Sequence, residues 1–285
     1  MKRAVLIIIL EMWCAASLFS QNNDRYVSAE HGVVPPLSVP MSFSGTYGEL
    51  RRNHFHGGLD FRTGGRTGEP VHAIKKGYVS RVSVSPTGYG LGIYVTHEDG
   101  SISVYGHLSE FMKPVAERVL EEQYSAESYK VDLRFSPEEF PVEQGDVIGK
   151  SGNSGSSAGP HLHMEIRSDE DTPIDYLEHG YYNFPDNTPP AFQRVAFYSY
   201  EDSTGAVECT LVRMVNFPTG GPVGVIKLPR RSYVAVDAVD KIEGNPSKLA
   251  VETYRVQLDD SQLFKYTVGD VPFSLGRYIY SLTQS

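Results

Sequence analysis

Cysteine is almost absent from this sequence: two residues in 285, Cys14 and Cys209. So few cannot form a disulfide framework, and stability has to come from packing or a bound metal. Basic charge is also short, with 26 Lys and Arg against 35 Asp and Glu and a net charge of −9. That balance argues against a nucleic-acid binder, which carries a basic patch or stripe. An anionic partner would have to be held by local charge, because the overall field repels it. Long apolar runs are missing too. The best one, in "MKRAVLIIILEMWCAASLFS", is interrupted by Glu11 and falls short of the ~20 residues a membrane-spanning helix needs.

Those first twenty residues read instead as a secretory signal. Lys2 and Arg3 start it, "AVLIII" opens its apolar region, and "AASLFS" offers small residues for a cut near Ser20. The chain is expected to be exported, to a periplasm, a cell envelope or the extracellular space, and to keep no spanning segment. The signal takes two cationic residues and one acidic one with it, moving the net charge from −9 to −10. Cys209 is then the single thiol. It lies in the alternating stretch "GAVECTLV", where a buried structural role is expected.

What is abundant points to strands and turns. The composition, 40% hydrophobic and 21% charged, is that of a folded protein, with 18 Tyr, 13 Phe, 27 Gly and 18 Pro. Residues 21–44 form an irregular lead-in. From residue 45 to 180, "GYVSRVSVS" and "GIYVTHEDGSISVYGHLS" alternate apolar and polar residues, with "EDGS" as a hairpin turn. The charged stretch 110–141 reads as an insertion carrying one helix near 114–126, with Pro114 in its first turn and a narrow apolar stripe of Val115, Val119 and Leu120. Pro and Asn cluster at 183–192. Beyond them, residues 190–285 alternate in segments that suggest an immunoglobulin-like β-sandwich. Its last residues, "GRYIYSLTQS", run strand-like without a closing turn, as in an incomplete sandwich or a fragment.

The chemistry concentrates in histidines. "HFHGGLD" puts His54, His56 and Asp60 beside two glycines, which would let the backbone turn tightly enough for His56 and Asp60 to converge. A hundred residues later comes "GPHLHMEIR". On a strand, His161 and His163 share a face while Leu162 points into the core. Both can meet one ion, or one can bind it while the other stands behind. His107, in "YGHLS", follows a strand. A catalytic zinc takes three protein ligands and leaves a fourth position open. His56, Asp60 and His163 would supply two imidazoles and a carboxylate, and Zn²⁺ so held brings the pKa of water to about 7. Glu165 shares the strand face of the histidine pair and could orient an imidazole or be an ordinary surface carboxylate. His54 is a weaker candidate. His72 and His97 read as structural or exposed, and His31 and His179 as loop residues with no partner in view.

"HGGLD", "GEPVHAIKKGYVSRV", "YGHLS" and "GDVIGKSGNSGSSAGPHLHMEI" together, over roughly residues 45 to 168 less the insertion, resemble the motif set of lysostaphin-type peptidoglycan metallo-endopeptidases. The resemblance implies an antiparallel β-sheet core with the site in a groove, and zinc held by His56, Asp60 and His163. It also implies that His107 and His161 flank the reactive water as acid–base pair, and that the substrate is a peptide bond of the bacterial wall. No H-E-x-x-H helix is present, so the glutamate base of that other protease class is not available. The insertion after His107 is longer than the usual link, and its stripe is narrow. It is therefore expected to border the groove and shape substrate choice rather than to support the core. The alternative is a non-catalytic protein of the same fold that binds wall material or regulates another hydrolase.

Overall fold

The computed structural model describes residue 23 and residues 26–28, 30–51, 54–203, 206–218, 224–258 and 261–281. The expected signal, 1–20, with Cys14, lies outside them. No described helix is long and apolar enough to cross a membrane. Among the described residues the chain is mainly β, in antiparallel sheets, with the α-helix Lys113–Ser125.

The first part is built from β1 (Phe43–Gly45), β2 (Leu59–Arg62), β3 (Pro70–His72), β4 (Gly77–Val84), β5 (Leu91–His97), β6 (Ile102–Gly106), β7 (Glu110–Phe111), α1 (Lys113–Ser125), β8 (Val131–Arg134), β9 (Pro141–Val142), β10 (Val147–Lys150) and β11 (His161–Arg167). The main sheet runs β1-β2-β11-β6-β5-β4-β8, with β9 also paired to β4; a smaller sheet, β3-β10-β7, packs its Val71, Ile148 and Phe111 into the same core. Alternation decides the faces. On β11, Leu162, Met164 and Ile166 enter the core, so His161, His163, Glu165 and Arg167 all share the opposite face. The "EDGS" turn joins β5 to β6, as its residue types require.

The helix of the insertion starts with Pro114 in its first turn, but the segment does more than border a groove. Val115 is fully buried, and Val119, Val131 and Val142 join it in the core. β8 extends the main sheet, pairing Val131 with Val84 and Arg134 with Arg81. Two valines one helical turn apart are enough of a stripe when the next strand continues the sheet that they cover.

In the second part, β12 (Ala191–Ser203) lies between β13 (Ala206–Asn216) and β14 (Ser232–Val239), and β15 (Thr253–Leu258) pairs with β16 (Ser261–Thr267). Cys209, expected to be buried, is exposed: alternation separates two faces but does not say which is covered. The closing segment is not a strand. Phe273–Ser281 forms a 3-10 helix that begins just after Pro272, and its start is tied to the first part. The Phe273 N–H donates to the Asp171 carbonyl at 2.9 Å, and Ser274 Oγ–H donates to the Asp171 carboxylate at 2.8 Å. The Tyr47 hydroxyl lies within 2.9 Å of the Pro173 carbonyl and accepts the Val271 N–H at 2.9 Å. Asp270 accepts the Asp175 N–H at 3.0 Å.

Candidate metal and acid–base centre

Antiparallel pairing places the two motifs together. β11 runs beside β2 with His163 opposite Asp60, and beside β6 with His163 opposite Gly106. Asp60 therefore meets His163 across strands, and His56 closes in from the turn four residues earlier. His56 Nε2, His163 Nδ1 and Asp60 Oδ1 lie 2.9, 2.9 and 3.0 Å from one another, all three residues buried. The glycines between them serve close approach more than turning. A Cβ on Gly58 would collide with the Met164 carbonyl oxygen of β11, so only glycine lets β2 lie against that strand.

Each imidazole is fixed by its outer nitrogen. His56 Nδ1–H donates to the Thr46 carbonyl at 2.7 Å, and His163 Nε2–H donates to Glu165 Oε1 at 2.8 Å. His161 Nδ1–H donates to the Gly159 carbonyl, and His107 Nδ1–H to the Ser154 carbonyl, both at 2.8 Å. These partners assign the neutral tautomers, and the remaining nitrogen of each ring is a lone pair. At His56 and His163 that lone pair faces Asp60. His161 Nε2 lies 3.4 Å from Asp60 Oδ1, and the His107 ring packs 4.8 Å from the His161 ring and 5.8 Å from that of His163. His107 has φ +59°, the left-handed region that side chains rarely occupy, and such strain collects at functional positions.

Bare lone pairs and a carboxylate at these distances repel unless a cation sits among them. The electrostatics agree. Burial alone would raise the pKa of Asp60, but a proton shared with His161, His163 and His56 would hold its carboxyl far below the ordinary range. Burial works against a charge on His163, yet Asp60 and Glu165 lift its pKa to about 9. The field that would hold that proton would equally hold a metal ion. Burial, with repulsion from His163 and His161, pushes His107 down to about 4 and keeps it neutral.

Behind the trio stands a buried support. Glu165 also accepts the Tyr89 hydroxyl and, at 2.7 Å, the Arg167 guanidinium, and burial's upward push is outweighed so that its pKa falls to about 2. On the other side Arg51 bridges Glu49 at 2.8 Å and Asp60 Oδ2 at 3.1 Å, which turns Oδ1 to the histidines. Tyr89 and Arg51 carry no sequence signal of these roles; Glu165 had its spacing. His54 is exposed and outside the trio. His97 is buried against Ser103 Oγ and the Lys76 carbonyl, both at 2.9 Å. The two loop histidines do find partners: His31 Nε2 lies 2.8 Å from the His179 carbonyl, and His179 pairs with Asp270 at 3.1 Å.

The comparisons with known proteins fall on this same region. Residues 54–137 and 131–176 match Peptidase family M23. Over these residues the chain resembles an M23 peptidase domain. The matched stretch contains His56, Asp60, His107, His161 and His163. Over 112 residues the chain is 31% identical to the DD-carboxypeptidase/endopeptidase Mpg of Neisseria meningitidis serogroup B, covering 39% of this chain and 20% of that protein. The chain thus spans about a fifth of the length of the curated relatives it matches, at 20%. Among solved structures it resembles the catalytic domain of the antimicrobial peptidase lysostaphin from Staphylococcus simulans, at 25% identity over 49% of this chain and 88% of that one, with a TM-score of 0.35. The M23 protein EnpA from Enterococcus faecalis is 26% identical over 45% of this chain and 81% of that one, with a TM-score of 0.33.

Proposed function

We propose that the M23 domain is a zinc-dependent endopeptidase that hydrolyses peptide bonds in bacterial peptidoglycan, and that the chain is exported through its first twenty residues to reach that substrate. The observation that carries the reading is the arrangement of three imidazoles around one buried carboxylate oxygen, with the fourth, His107, packed on two of them, each ring tied by its outer N–H. Three donors, His56, Asp60 and His163, form the set that a catalytic zinc takes, with a fourth position left open. When bound there, zinc supplies Lewis acidity, acidifying water and polarising an amide carbonyl. The family match and the Mpg relative's name support a peptidase of wall peptides.

The chain's own residues would move the proton. His107 and His161 are the acid–base pair; burial keeps His107 neutral, and in both rings Nδ1–H is tied to a carbonyl, which leaves Nε2 for the proton. Neither ring can donate through Nε2 until it has taken up a proton. The ring that accepts the water's proton therefore becomes the donor to the developing oxyanion or the leaving amine. Their carbonyl partners, Ser154 and Gly159, keep both rings aimed while this happens.

The test is to measure zinc content, melting temperature and release of new amino groups from purified peptidoglycan for His163→Ala and His107→Ala side by side. His163→Ala should lose zinc and activity together. His107→Ala should keep zinc and lose at least ~10²-fold in turnover, the scale of a positioned acid–base group. A parent protein that holds zinc yet releases no amino groups from any wall preparation favours the non-catalytic alternative.

A further inference from the structure

We propose that a cleft of about 710 Å³ on the open face of the main sheet is a subsite for a carboxylate-bearing segment of the wall peptide. The inference rests on the hydrolase reading above and names where that substrate's charge is held. The cleft borders the support of the metal and acid–base centre, though none of the five site residues lines it. Tyr89 lines it, and the Tyr89 ring stands 5.4 Å from that of His163 while its hydroxyl bonds to Glu165. From there the pairing register lays a straight row across four strands: Glu165 on β11 opposite Val104 on β6, Val104 opposite Tyr94 on β5, and Tyr94 opposite Arg81 on β4. Three strand spacings make that row about 14 Å long, the reach of about four extended residues. Glu165 and Val104 are themselves buried, so the row measures a distance and is not a track: a peptide crossing above it with its scissile bond at the histidines would bring a group about four residues away over Arg81.

The lining there inverts the charge of the molecule. In a chain of net charge −9, the cleft is lined by Arg81, Lys130 and Arg167 against one acid, Asp132. Both guanidiniums lie over the Tyr94 ring, at 4.8 Å for Arg81 and 5.4 Å for Arg167, so they are held flat and in place. Arg81 is engaged by Asp132 and Arg167 by Glu165. Lys130 is exposed and enters no ion pair among the described residues, which leaves its ammonium for a ligand. The cleft is also walled by parts beyond the four strands of that row. Lys130 and Asp132 come from the insertion. Phe273, whose ring lies 4.7 Å from the Arg167 guanidinium, comes from the closing 3-10 helix. A local basic strip is what an acidic protein needs to hold an anionic ligand.

The test uses two soluble wall peptides that differ in one group, a free carboxylate or its amide. Both are titrated calorimetrically into the zinc-loaded full chain carrying His107→Ala to suppress turnover, with and without Lys130→Glu. The free-carboxylate peptide should bind about two- to fivefold more tightly than the amide at low salt, the scale of one exposed charge pair. Lys130→Glu should abolish or reverse that preference and leave affinity for the amide unchanged. Equal affinities for the two peptides, or a preference that survives the charge reversal, overturns the subsite. Charge-dependent binding by a parent that cleaves neither peptide would keep the subsite and remove the hydrolase reading. Cleavage indifferent to both changes would do the opposite.

Discussion

Glu165→Gln is the most informative single substitution, because it alters no ligand yet removes what the ligand His163 leans on. The carboxylate is buried and holds three donors at once: His163 Nε2–H, the Tyr89 hydroxyl and the Arg167 guanidinium. The amide keeps the shape but puts an NH₂ against groups that are themselves donors. Arg167, itself buried, loses its counter-charge, and breaking a buried pair costs about 3–5 kcal/mol. His163 loses the acceptor that orients its ring and makes it a better donor to a metal, an effect worth about 10–100-fold in affinity. Zinc affinity is measured by competition with a chromogenic chelator, and stability by thermal melts of metal-free and zinc-loaded protein. Tyr89→Phe removes one donor and leaves the charge, so it should fold and lose less zinc affinity than Glu165→Gln. A folded Glu165→Gln protein that binds zinc within about threefold of the parent would refute the argument, since the orienting effect starts at about 10-fold.

Three further outcomes follow from particular contacts. Gly58→Ala should lose zinc binding and melt lower than the parent, because its Cβ has to displace the Met164 backbone of β11; an unchanged melt would mean that β2 can shift freely. Val115→Ala should lower stability by about 2 kcal/mol through lost burial and the small cavity left, and replacing residues 112 to 140 by a short Gly/Ser linker should unfold the domain, checked by denaturant melts and circular dichroism. His97 has its pKa lowered by burial. The unfolded chain therefore binds its proton more readily, so its contribution to stability is complete above about pH 6.5 and is lost as pH falls below that value. His97→Gln, which keeps hydrogen-bonding capacity, should show a shallower loss of melting temperature between pH 7 and 5, and an equal slope would exclude His97 as a source.

Much of the site is legible in the sequence for one reason: strand periodicity is two. His161, His163, Glu165 and Arg167 had to share a face wherever β11 lay, and the glycines beside His56 marked the convergence with Asp60, although as a tight turn where the structure shows a close approach. What pairs with that face was not legible. The apposition of His163 and Asp60 depends on β2 lying beside β11, a pairing between segments a hundred residues apart. The carbonyls of Thr46, Ser154 and Gly159 that fix three of the rings are backbone atoms, which leave no mark in residue type. Tyr89 reaches Glu165 from a loop and belongs to no motif. The insertion misled because Val115 and Val119 look sparse by themselves, and their burial depends on β8 extending the sheet. Cys209 and the closing 3-10 helix misled for the matching reason. Alternation records two faces, but the neighbours decide which is covered and whether the segment stays extended.

The Tyr47 hydroxyl ties the M23-matching residues to a segment that the match does not include. It joins positions 47, 173 and 271 at one oxygen, and the last of these lies roughly a hundred residues beyond residue 176, where the match ends. Without that segment Tyr47 would lose the Val271 N–H, Gly48 the Val268 side chain that packs on it, and the flank beside Gly57 the Phe273 ring. A piece cut at residue 176 would therefore carry every histidine of the centre and still lack one wall beside it, so the boundary of the match is not the boundary of the working unit.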